Sequence, residues 1–305
     1  MSPRDTLLAL CVVLVWGVNF VVIKLGLEGM PPLLLGALRF CLVAFPAILF
    51  IKPPKIPMRQ VLLYGLTISF AQFAFLFCSL KFGMPAGLAS IILQSQAFFT
   101  VILGAVLMKE KILTNQYVAV LVAIVGMVIL TQGSMQAGDV AHIPLFSFLL
   151  IMLAALSWAT GNIVNKSIMQ TAPQTPILSL VVWSGLVPIV PFFLSSWLFE
   201  GVEAMAIGLQ NIQLSNILAL MYLAFVATMI GYGLWGYLLS RYPTNKVAPL
   251  SLLVPVVGLI TAVWAFDERL SLLQIIGAFM MMLAMLINTF GSRLQLKRLL
   301  RKAGG

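Results

Sequence analysis

The chain has 305 residues, of which 62% are hydrophobic and 9% charged, and its net charge is +10. Its mean hydropathy is +1.10. Soluble domains carry roughly 25% charged residues, so this composition excludes a water-soluble globule and indicates an integral membrane protein. The basic residues lie between apolar segments and at the C-terminus instead of forming one face, which argues against a nucleic-acid partner.

Ten apolar segments follow one another along the chain, each close to the roughly 20 residues that a helix needs to cross a bilayer. Stretches such as "GMPP" (29–32) and "KPPKIP" (52–57) separate them with prolines, where a helix must stop or start. The sequence therefore predicts an all-α polytopic membrane protein. The ten predicted helices cover residues 5–25, 33–51, 60–80, 86–108, 113–131, 145–167, 176–199, 214–239, 247–266 and 271–291.

The distribution of lysine and arginine predicts that both termini are cytoplasmic. With the N-terminus inside, 14 of these residues fall in cytoplasmic segments and 4 on the opposite side. A bias of this kind follows the positive-inside rule. The basic tail, residues 292–305, is expected to anchor this topology, and its charge also suits anionic membrane lipids.

The first apolar segment resembles a signal peptide, because Arg4 precedes it and "LALC" (8–11) is faintly similar to a lipoprotein cleavage site. We expect a retained helix instead, since Leu10 is large where a small residue is needed and the apolar run continues past Cys11. The other two cysteines also lie in predicted helices, and no CxxC pair exists. Neither a disulfide framework nor a metal site is indicated.

The chain repeats itself in two places. Residues 84–130 align with residues 242–288 at an offset of 158, which pairs Glu110 with Glu268. Further upstream, "WGVNFVVIK" begins at residue 16 and "WATGNIVNK" at residue 158. Each of these two stretches has a tryptophan, an asparagine three or four residues later and a lysine eight residues later.

These repeated stretches divide the chain into two copies of five helices, residues 5–132 and 145–291. Five is an odd number, so the second copy enters the membrane in the opposite orientation to the first. Inverted repeats of this kind are typical of alternating-access transporters, whose substrate site lies near the midplane between the halves.

Several stretches then carry a resemblance to a known family. They are "WGVNFVVIK" (16–24), "LRF" (38–40), "GMPAGLAS" (83–90), "KEKI" (109–112), "SWATGN" (157–162), "VAPLSLLVPVVG" (247–258) and "DERL" (267–270). With the five-plus-five pattern, they resemble the EamA family of the drug/metabolite transporter superfamily over nearly the whole chain. The first two positions of "KEKI" depart from the Gly-Glu that the family more often shows there. The resemblance implies an exporter of small amino-acid metabolites, such as O-acetylserine or cysteine, in a bacterial inner membrane.

Polar and aromatic residues within the predicted helices are candidates for a cavity between the halves. Trp16 and Asn19 share one helical face, as do Trp158 and Asn162 in the corresponding helix. In hydrocarbon such groups must face another helix or a water-filled path, so interhelical contact remains the alternative for each. The predicted substrate-binding residues are Trp16, Asn19, Arg39, Gln72, Gln94, Trp158, Asn162, Trp183, Tyr232 and Trp235.

Two further details concern the shape of this cavity. Gln94 and Gln96 lie about 200° apart on an α-helix, so at most one is expected to face the cavity, with Gln96 between helices. Prolines such as Pro188 and Pro249 interrupt the seventh and ninth predicted helices. Bent helices near the midplane either expose backbone groups for binding and hinging or are tolerated kinks.

Arg39 lies about six residues into the second predicted helix, roughly 9 Å from its outer end. A charge at a helix centre costs on the order of 2.5–3.5 kcal/mol, and reaching back to the interface lowers that cost. One interpretation is therefore an arginine that snorkels or binds backbone carbonyls. The other is that Arg39, near the outer vestibule, attracts a substrate carboxylate or closes an outer gate against Glu28, since a guanidinium donates two parallel hydrogen bonds to a carboxylate.

The absence of acidic residues and histidine from the middle of the predicted helices, and of catalytic motifs, narrows the function further. All eight acidic residues lie in loops or at helix ends, and His142, the one histidine, lies between the halves. Proton-coupled exporters need a titratable group within the membrane, so we expect a facilitator or exchanger, or weak coupling through groups such as Glu28. No HExxH, GxSxG or P-loop motif is present, which disfavours an enzyme, and no cofactor is implied.

Two alternatives remain open. A receptor or scaffold would need no duplicated, inverted core, and the loops are short. A general drug exporter of the same superfamily is the closer rival, because aromatic residues stack flat cations readily.

Overall fold

A computed structural model describes residues 1–45, 47–134 and 141–303, with side chains at all of these except 244, 245 and 292–303. The described chain contains ten helices that are long and apolar enough to span a membrane. They are α1 (Pro3–Gly26), α2 (Pro32–Leu49), α3 (Met58–Lys81), α4 (Ala86–Met108), α5 (Thr114–Gly133), α6 (Leu145–Thr171), α7 (Ile177–Glu200), α8 (Leu214–Arg241), α9 (Ala248–Phe266) and α10 (Leu272–Gly291).

These bounds agree with the predicted helices to within a few residues, and the all-α fold class is confirmed. The largest difference is at α6, which ends at Thr171 instead of residue 167. The α10 helix continues through the predicted basic tail to Ala303. Most of the polar linker predicted between the halves, residues 135–140, and the last two residues of the tail lie outside the described part of the chain.

Local chemistry explains where the helices begin. At α1 the Ser2 hydroxyl accepts a hydrogen bond from the backbone N–H of Asp5 at 3.1 Å. Most of the others begin directly after a proline, which has no backbone N–H to continue a preceding helix. The prolines at the N-caps of α2, α3, α4, α6 and α7 are Pro31, Pro57, Pro85, Pro144 and Pro176.

The two halves repeat their departures from α-helical geometry. A π-helical segment occupies Gly65–Ala71 in α3, and another occupies Tyr222–Ile230 in the corresponding helix α8. A 3₁₀ segment covers Leu93–Ser95 in α4, and another covers Ala248–Leu253, which contains Pro249, in α9. The α7 helix is also broken, between Ser184 and Ile189, as the prolines of that helix predicted.

Backbone conformation at the ends of α4 and α9 marks the same repeat. Among the described residues, Lys109 (φ 55°) and Asp267 (φ 49°) are the two non-glycine residues with positive φ. They are separated by the same 158 positions as the sequence repeat, and each terminates its helix. Each is followed directly by a glutamate, Glu110 or Glu268. The left-handed cap therefore places an equivalent carboxylate at each end of the bundle.

Helix packing follows a pseudo-twofold arrangement. The α1 helix packs on α9 as α6 packs on α4, and α3 packs on α6 as α8 packs on α1. Corresponding helices also meet each other, α5 with α10 and α2 with α7. Six core helices from both halves thus surround one centre, flanked by α2 and α7, while the α5–α10 pair packs outside it.

Interior packing is denser at one end of the bundle than at the other. We call the two ends the Glu268 end and the Glu110 end, after the glutamates that follow α9 and α4. The largest fully buried side chains all lie in the half toward the Glu268 end. They are Phe77, Phe192, Ile23, Met30, Leu34, Leu35, Leu76, Met84, Leu88, Ile91, Ile92 and Leu93.

The outer surface of the bundle is apolar. Large side chains such as Trp264, Phe50 and Phe199 are more than four-fifths exposed. A soluble protein does not leave so much apolar surface uncovered, whereas a bilayer covers it. With ten apolar helices, this surface identifies a multi-pass membrane protein.

Close approach of α5 and α10 depends on glycine. A Cβ placed on Gly277 would lie 2.6 Å from the carbonyl oxygen of Gly126 and 2.6 Å from the backbone nitrogen of Leu130. Neither backbone atom can rotate away, so a side chain there forces the helices apart. The pair consequently forms a tightly packed unit beside the core helices.

We predict that Gly277→Ala lowers the thermal unfolding midpoint of the detergent-solubilised protein. Overpacking of a close interface costs about 1–3 kcal/mol, more than the roughly 1 kcal/mol that alanine gains over glycine in a helix. The matched control is Gly233→Ala in α8, where nothing lies within 4 Å of the added Cβ and the midpoint should stay or rise. A Gly277→Ala protein as stable as this control would contradict the tight contact.

Candidate functional site

A cavity of ≈ 310 Å³ lies at the centre of the bundle, lined by residues from α1, α2, α3, α4, α6, α7, α8 and α9. Pockets of this size suit a small metabolite. Nine of the ten sequence-predicted binding residues line it. They are Trp16, Asn19, Arg39, Gln72, Gln94, Trp158, Asn162, Tyr232 and Trp235.

The cavity extends toward the Glu110 end. Its lining includes Tyr64 and Ile177, near the starts of α3 and α7, and Asn165 and Leu239, near the ends of α6 and α8. All four of these helix termini lie at the Glu110 end. The densely packed half of the bundle closes the opposite side, so the structure has one closed end.

Trp16 organises one wall of the cavity. Its indole N–H donates to the carbonyl of Ala227 at 3.0 Å, within the π-helical segment of α8, where the ordinary backbone pattern is interrupted. Its ring lies 5.3 Å from the rings of both Tyr232 and Trp235. A Cβ on Gly231 would lie 2.6 Å from the indole nitrogen, so glycine permits this close approach.

The opposite wall carries an amide network. The Asn162 side chain donates to the Gln96 side chain at 2.7 Å and to Thr100 at 3.2 Å. Gln96 therefore bridges helices, as predicted, but it lines the cavity together with Gln94, which was not expected. The 3₁₀ segment at Leu93–Ser95 accounts for the difference, because a 3₁₀ turn advances about 120° per residue and brings the two side chains closer together around the axis.

Arg39 is buried, with a relative exposure of 3%. Its Nη2 donates to the hydroxyl of Thr228 at 3.1 Å, and Thr228 donates onward to the carbonyl of Leu223 at 2.8 Å. The guanidinium carbon lies 4.0 Å from the centre of the Phe73 ring, a cation–π contact. The snorkelling interpretation is wrong for this conformation, since the side chain lies within the protein.

The guanidinium is nonetheless incompletely partnered. Its Nε and Nη1 atoms are buried with no hydrogen-bond partner among the described residues. The expected contact with Glu28 is absent, because Glu28 is exposed at the end of α1 and none of the ion pairs in the described chain includes Arg39. A side chamber of ≈ 20 Å³ beside Arg39 shares Tyr64, Phe73 and Tyr232 with the main cavity.

Asn19 carries a second unmatched group in the same cavity. Its Oδ1 atom is buried and accepts no hydrogen bond from the described residues. Burying such an acceptor without a donor costs free energy. The site therefore holds spare donors at Arg39 and a spare acceptor at Asn19, with the Trp16 cluster nearby.

Trp183 does not belong to this site. It is absent from the cavity lining, and its indole N–H donates to the carbonyl of Ile51 at 2.8 Å. Ile51 lies two residues beyond the end of α2, so the indole satisfies a carbonyl of the connection that follows this helix. The prediction that Trp183 binds substrate is not supported by its position.

Two aromatic residues that sequence reasoning missed also belong to the site. Phe73 lies beneath the Arg39 guanidinium, and Tyr64 lines both the main cavity and the side chamber. Phe73 directly follows the predicted Gln72, but consecutive side chains point about 100° apart on an α-helix, so the helix pattern did not place it at the cavity. Tyr64 lies near the start of a predicted helix, and no sequence pattern indicated that it would line the cavity.

Comparison with known proteins agrees with this architecture. The EamA-like transporter family matches residues 5–132 and again residues 145–290, once for each half. A solved crystal structure is similar over 97% of this chain and 99% of its own, with a TM-score of 0.64 and 21% sequence identity. At that identity the likeness supports the fold alone.

Two curated relatives are much more similar. A protein named "Probable amino-acid metabolite efflux pump" from Salmonella typhimurium is 55% identical over 97% of this chain and 98% of its own length. A protein of the same name from Escherichia coli is 55% identical over 96% of this chain and 97% of its own. These matches indicate a transporter and not an enzyme. The chain belongs to the EamA-like transporter family.

Proposed function

We propose that this protein exports zwitterionic amino-acid metabolites, such as O-acetylserine, cysteine or close relatives, by alternating access between its two halves, residues 5–132 and 145–291. The printed names of the two 55% identical relatives support amino-acid metabolites as the substrate class. In a bacterial inner membrane with both termini cytoplasmic, the Glu110 end faces the cytoplasm. The cavity seen here is then open to the side from which an exporter loads.

One observation carries the choice of substrate: Arg39 contributes a buried positive charge to the cavity without a carboxylate partner. A buried ion that lacks a counter-ion is costly, and a substrate carboxylate would supply both the charge and the missing acceptors. The described residues that line the cavity include no Asp, Glu or His. The positive field of Arg39 would therefore repel a cationic drug, whereas it would attract a substrate carboxylate.

The α-ammonium group of an amino acid fits the other unmatched group. Its N–H bonds suit the free Oδ1 of Asn19, and the aromatic faces of Trp16 and Trp158 suit its charge. The cavity thus offers donors for one end of a zwitterion and an acceptor for the other. Partly exposed apolar residues of the lining, such as Ile177 and Leu239, are available to a short side chain.

We expect Arg39→Leu to weaken cysteine transport about 10- to 100-fold in apparent affinity, because a hydrogen bond to a charged group contributes roughly 1.5–3 kcal/mol. Uptake of labelled cysteine into inside-out vesicles measures this. Cysteine methyl ester, which has no carboxylate, should compete poorly with cysteine for the unmodified protein and almost equally well for the variant. Arg59→Leu, at an exposed arginine outside the cavity, is the matched control. Retained discrimination in Arg39→Leu would remove Arg39 from substrate recognition.

Asn19→Leu tests the ammonium contact separately. It removes the free acceptor but keeps Arg39, so it should reduce the preference for cysteine over N-acetylcysteine, whose nitrogen carries no charge. Competition assays in the same vesicles measure the ratio, and Asn211→Leu, in an exposed loop, serves as control. If neither variant alters these preferences while a flat cationic dye competes strongly, the drug-exporter alternative replaces the present one.

The residues that line the cavity also predict whether transport is coupled to the proton gradient. Because the described cavity residues include no titratable carboxylate or histidine, cysteine uptake should survive an uncoupler that collapses the proton gradient. The measurement compares initial uptake rates in inside-out vesicles with and without the uncoupler. A rate that falls with the gradient would show that a group at a helix end couples transport to protons.

A further inference from the structure

Two lysine–glutamate pairs occupy opposite ends of the bundle and are related by the internal repeat. At the Glu268 end, Lys24 of α1 lies 3.2 Å from Glu268. At the Glu110 end, Lys166 of α6 lies 2.5 Å from Glu110. Lys24 and Lys166 hold the same place in the two repeated Trp–Asn–Lys stretches, and the glutamates follow the two left-handed caps.

The Glu268 pair joins three helices. Besides Lys24, the carboxylate accepts the backbone N–H of Ala86 at 2.7 Å and that of Gly87 at 3.0 Å. These are the first amides of α4, where a negative charge is favoured by the helix dipole and satisfies otherwise unpaired donors. The side chain of Glu268 is only 6% exposed. This carboxylate therefore ties the end of α9 to the start of α4 and to α1.

Glycine makes this contact possible. A Cβ on Gly87 would lie 3.0 Å from the Glu268 carboxylate and 2.9 Å from Leu259 of α9. The start of α4 therefore approaches α9 closely. The Lys24 ammonium also lies over the ring of Phe266, 4.3 Å from its centre, which adds a cation–π contact to the same junction.

The Glu110 pair is arranged differently. The side chains of Glu110 and Lys166 are 41% and 45% exposed, although this pair is equivalent by sequence to the less exposed Lys24–Glu268 pair. The Glu110 carboxylate lies against Gly104 of its own helix, 3.0 Å from the position of an added Cβ. By the 158-residue offset, the counterparts of Ala86 and Gly87 are Thr244 and Asn245, at the start of the α9 region.

We propose that the two pairs are reciprocal gates, each closed when its glutamate bridges the lysine and the first amides of the opposing helix. The structure has the Lys24–Glu268 gate closed and the Lys166–Glu110 gate open. In the opposite state Glu110 binds the amides of residues 244 and 245 while Glu268 releases those of α4. This inference rests on the alternating-access part of the proposed function and is independent of which metabolite is carried.

Hydrogen–deuterium exchange of the full-length protein in detergent, without substrate, tests the gates separately from substrate identity. In Glu268→Gln, amides of residues 86–92 should exchange about 10-fold faster, because a neutral amide is a weaker acceptor than a carboxylate. Amides of residues 244–251 should exchange more slowly in the same variant, because its population shifts toward the state with the Glu110 gate closed. Glu203→Gln, an exposed acid at the same end, is the matched control.

The mirrored variant sharpens the test. Glu110→Gln should leave residues 86–92 protected and raise exchange at 244–251. If Glu268→Gln accelerates residues 86–92 without slowing residues 244–251, Glu268 is only a local helix cap and the proposal fails. If Glu268→Gln does not fold, Lys24→Gln provides the same comparison. It removes the lysine of the gate but keeps the hydrogen bonds from the backbone N–H groups of α4 to Glu268. If the protein shows this reciprocal exchange in detergent but no cysteine transport in vesicles, the proposed substrate is rejected and the gates are kept.

Discussion

Backbone groups in hydrocarbon must find partners within the protein, and this requirement shapes the whole molecule. An unsatisfied N–H or C=O costs several kcal/mol there, so irregular helix survives only where protein or a cavity surrounds it. The π segments of α3 and α8 and the 3₁₀ segments of α4 and α9 each contribute a residue to the cavity wall, Ile68, Ala227, Gln94 and Ser251. The four irregular segments that the two halves share therefore all border the cavity, whereas a further π-helical segment, Ser196–Glu200 in α7, lies away from it.

The bundle combines a symmetric plan with an asymmetric arrangement. The repeat places a lysine, a glutamate and a left-handed cap at both ends, yet one glutamate is buried among amides and the other is exposed. Packing shows the same difference, since the largest buried side chains lie toward the Glu268 end. Equivalent positions at the two ends therefore adopt different local arrangements, and the proposed gates would exchange these two arrangements.

Much of this fold was predictable because hydrocarbon leaves few choices. Helix bounds followed from apolar length and proline positions, and nine of ten binding candidates line the cavity because polar groups avoid lipid. Trp183 was misplaced because an indole N–H at a helix end also suits a free carbonyl, here that of Ile51. The joint exposure of Gln94 and Gln96 depends on a 3₁₀ turn, and the contact of Arg39 with Thr228 joins residues 189 positions apart. Neither leaves a periodic signal in the sequence.

The repeat is kept at the ends of the bundle and in the backbone around the cavity, whereas polar side chains at the centre differ between the halves. Asn162 donates to Gln96 and Thr100, whereas the Oδ1 of its counterpart Asn19 stays free. Arg39 has no charged counterpart in α7, where the stretch that follows the proline N-cap carries Trp183 and Ser184. A transporter that opens alternately needs two gates, because each end must close in turn, but it needs one binding site, because both states share the centre. In the proposed function, duplication supplies the two gates, and divergence between the copies supplies the asymmetric site for a zwitterion.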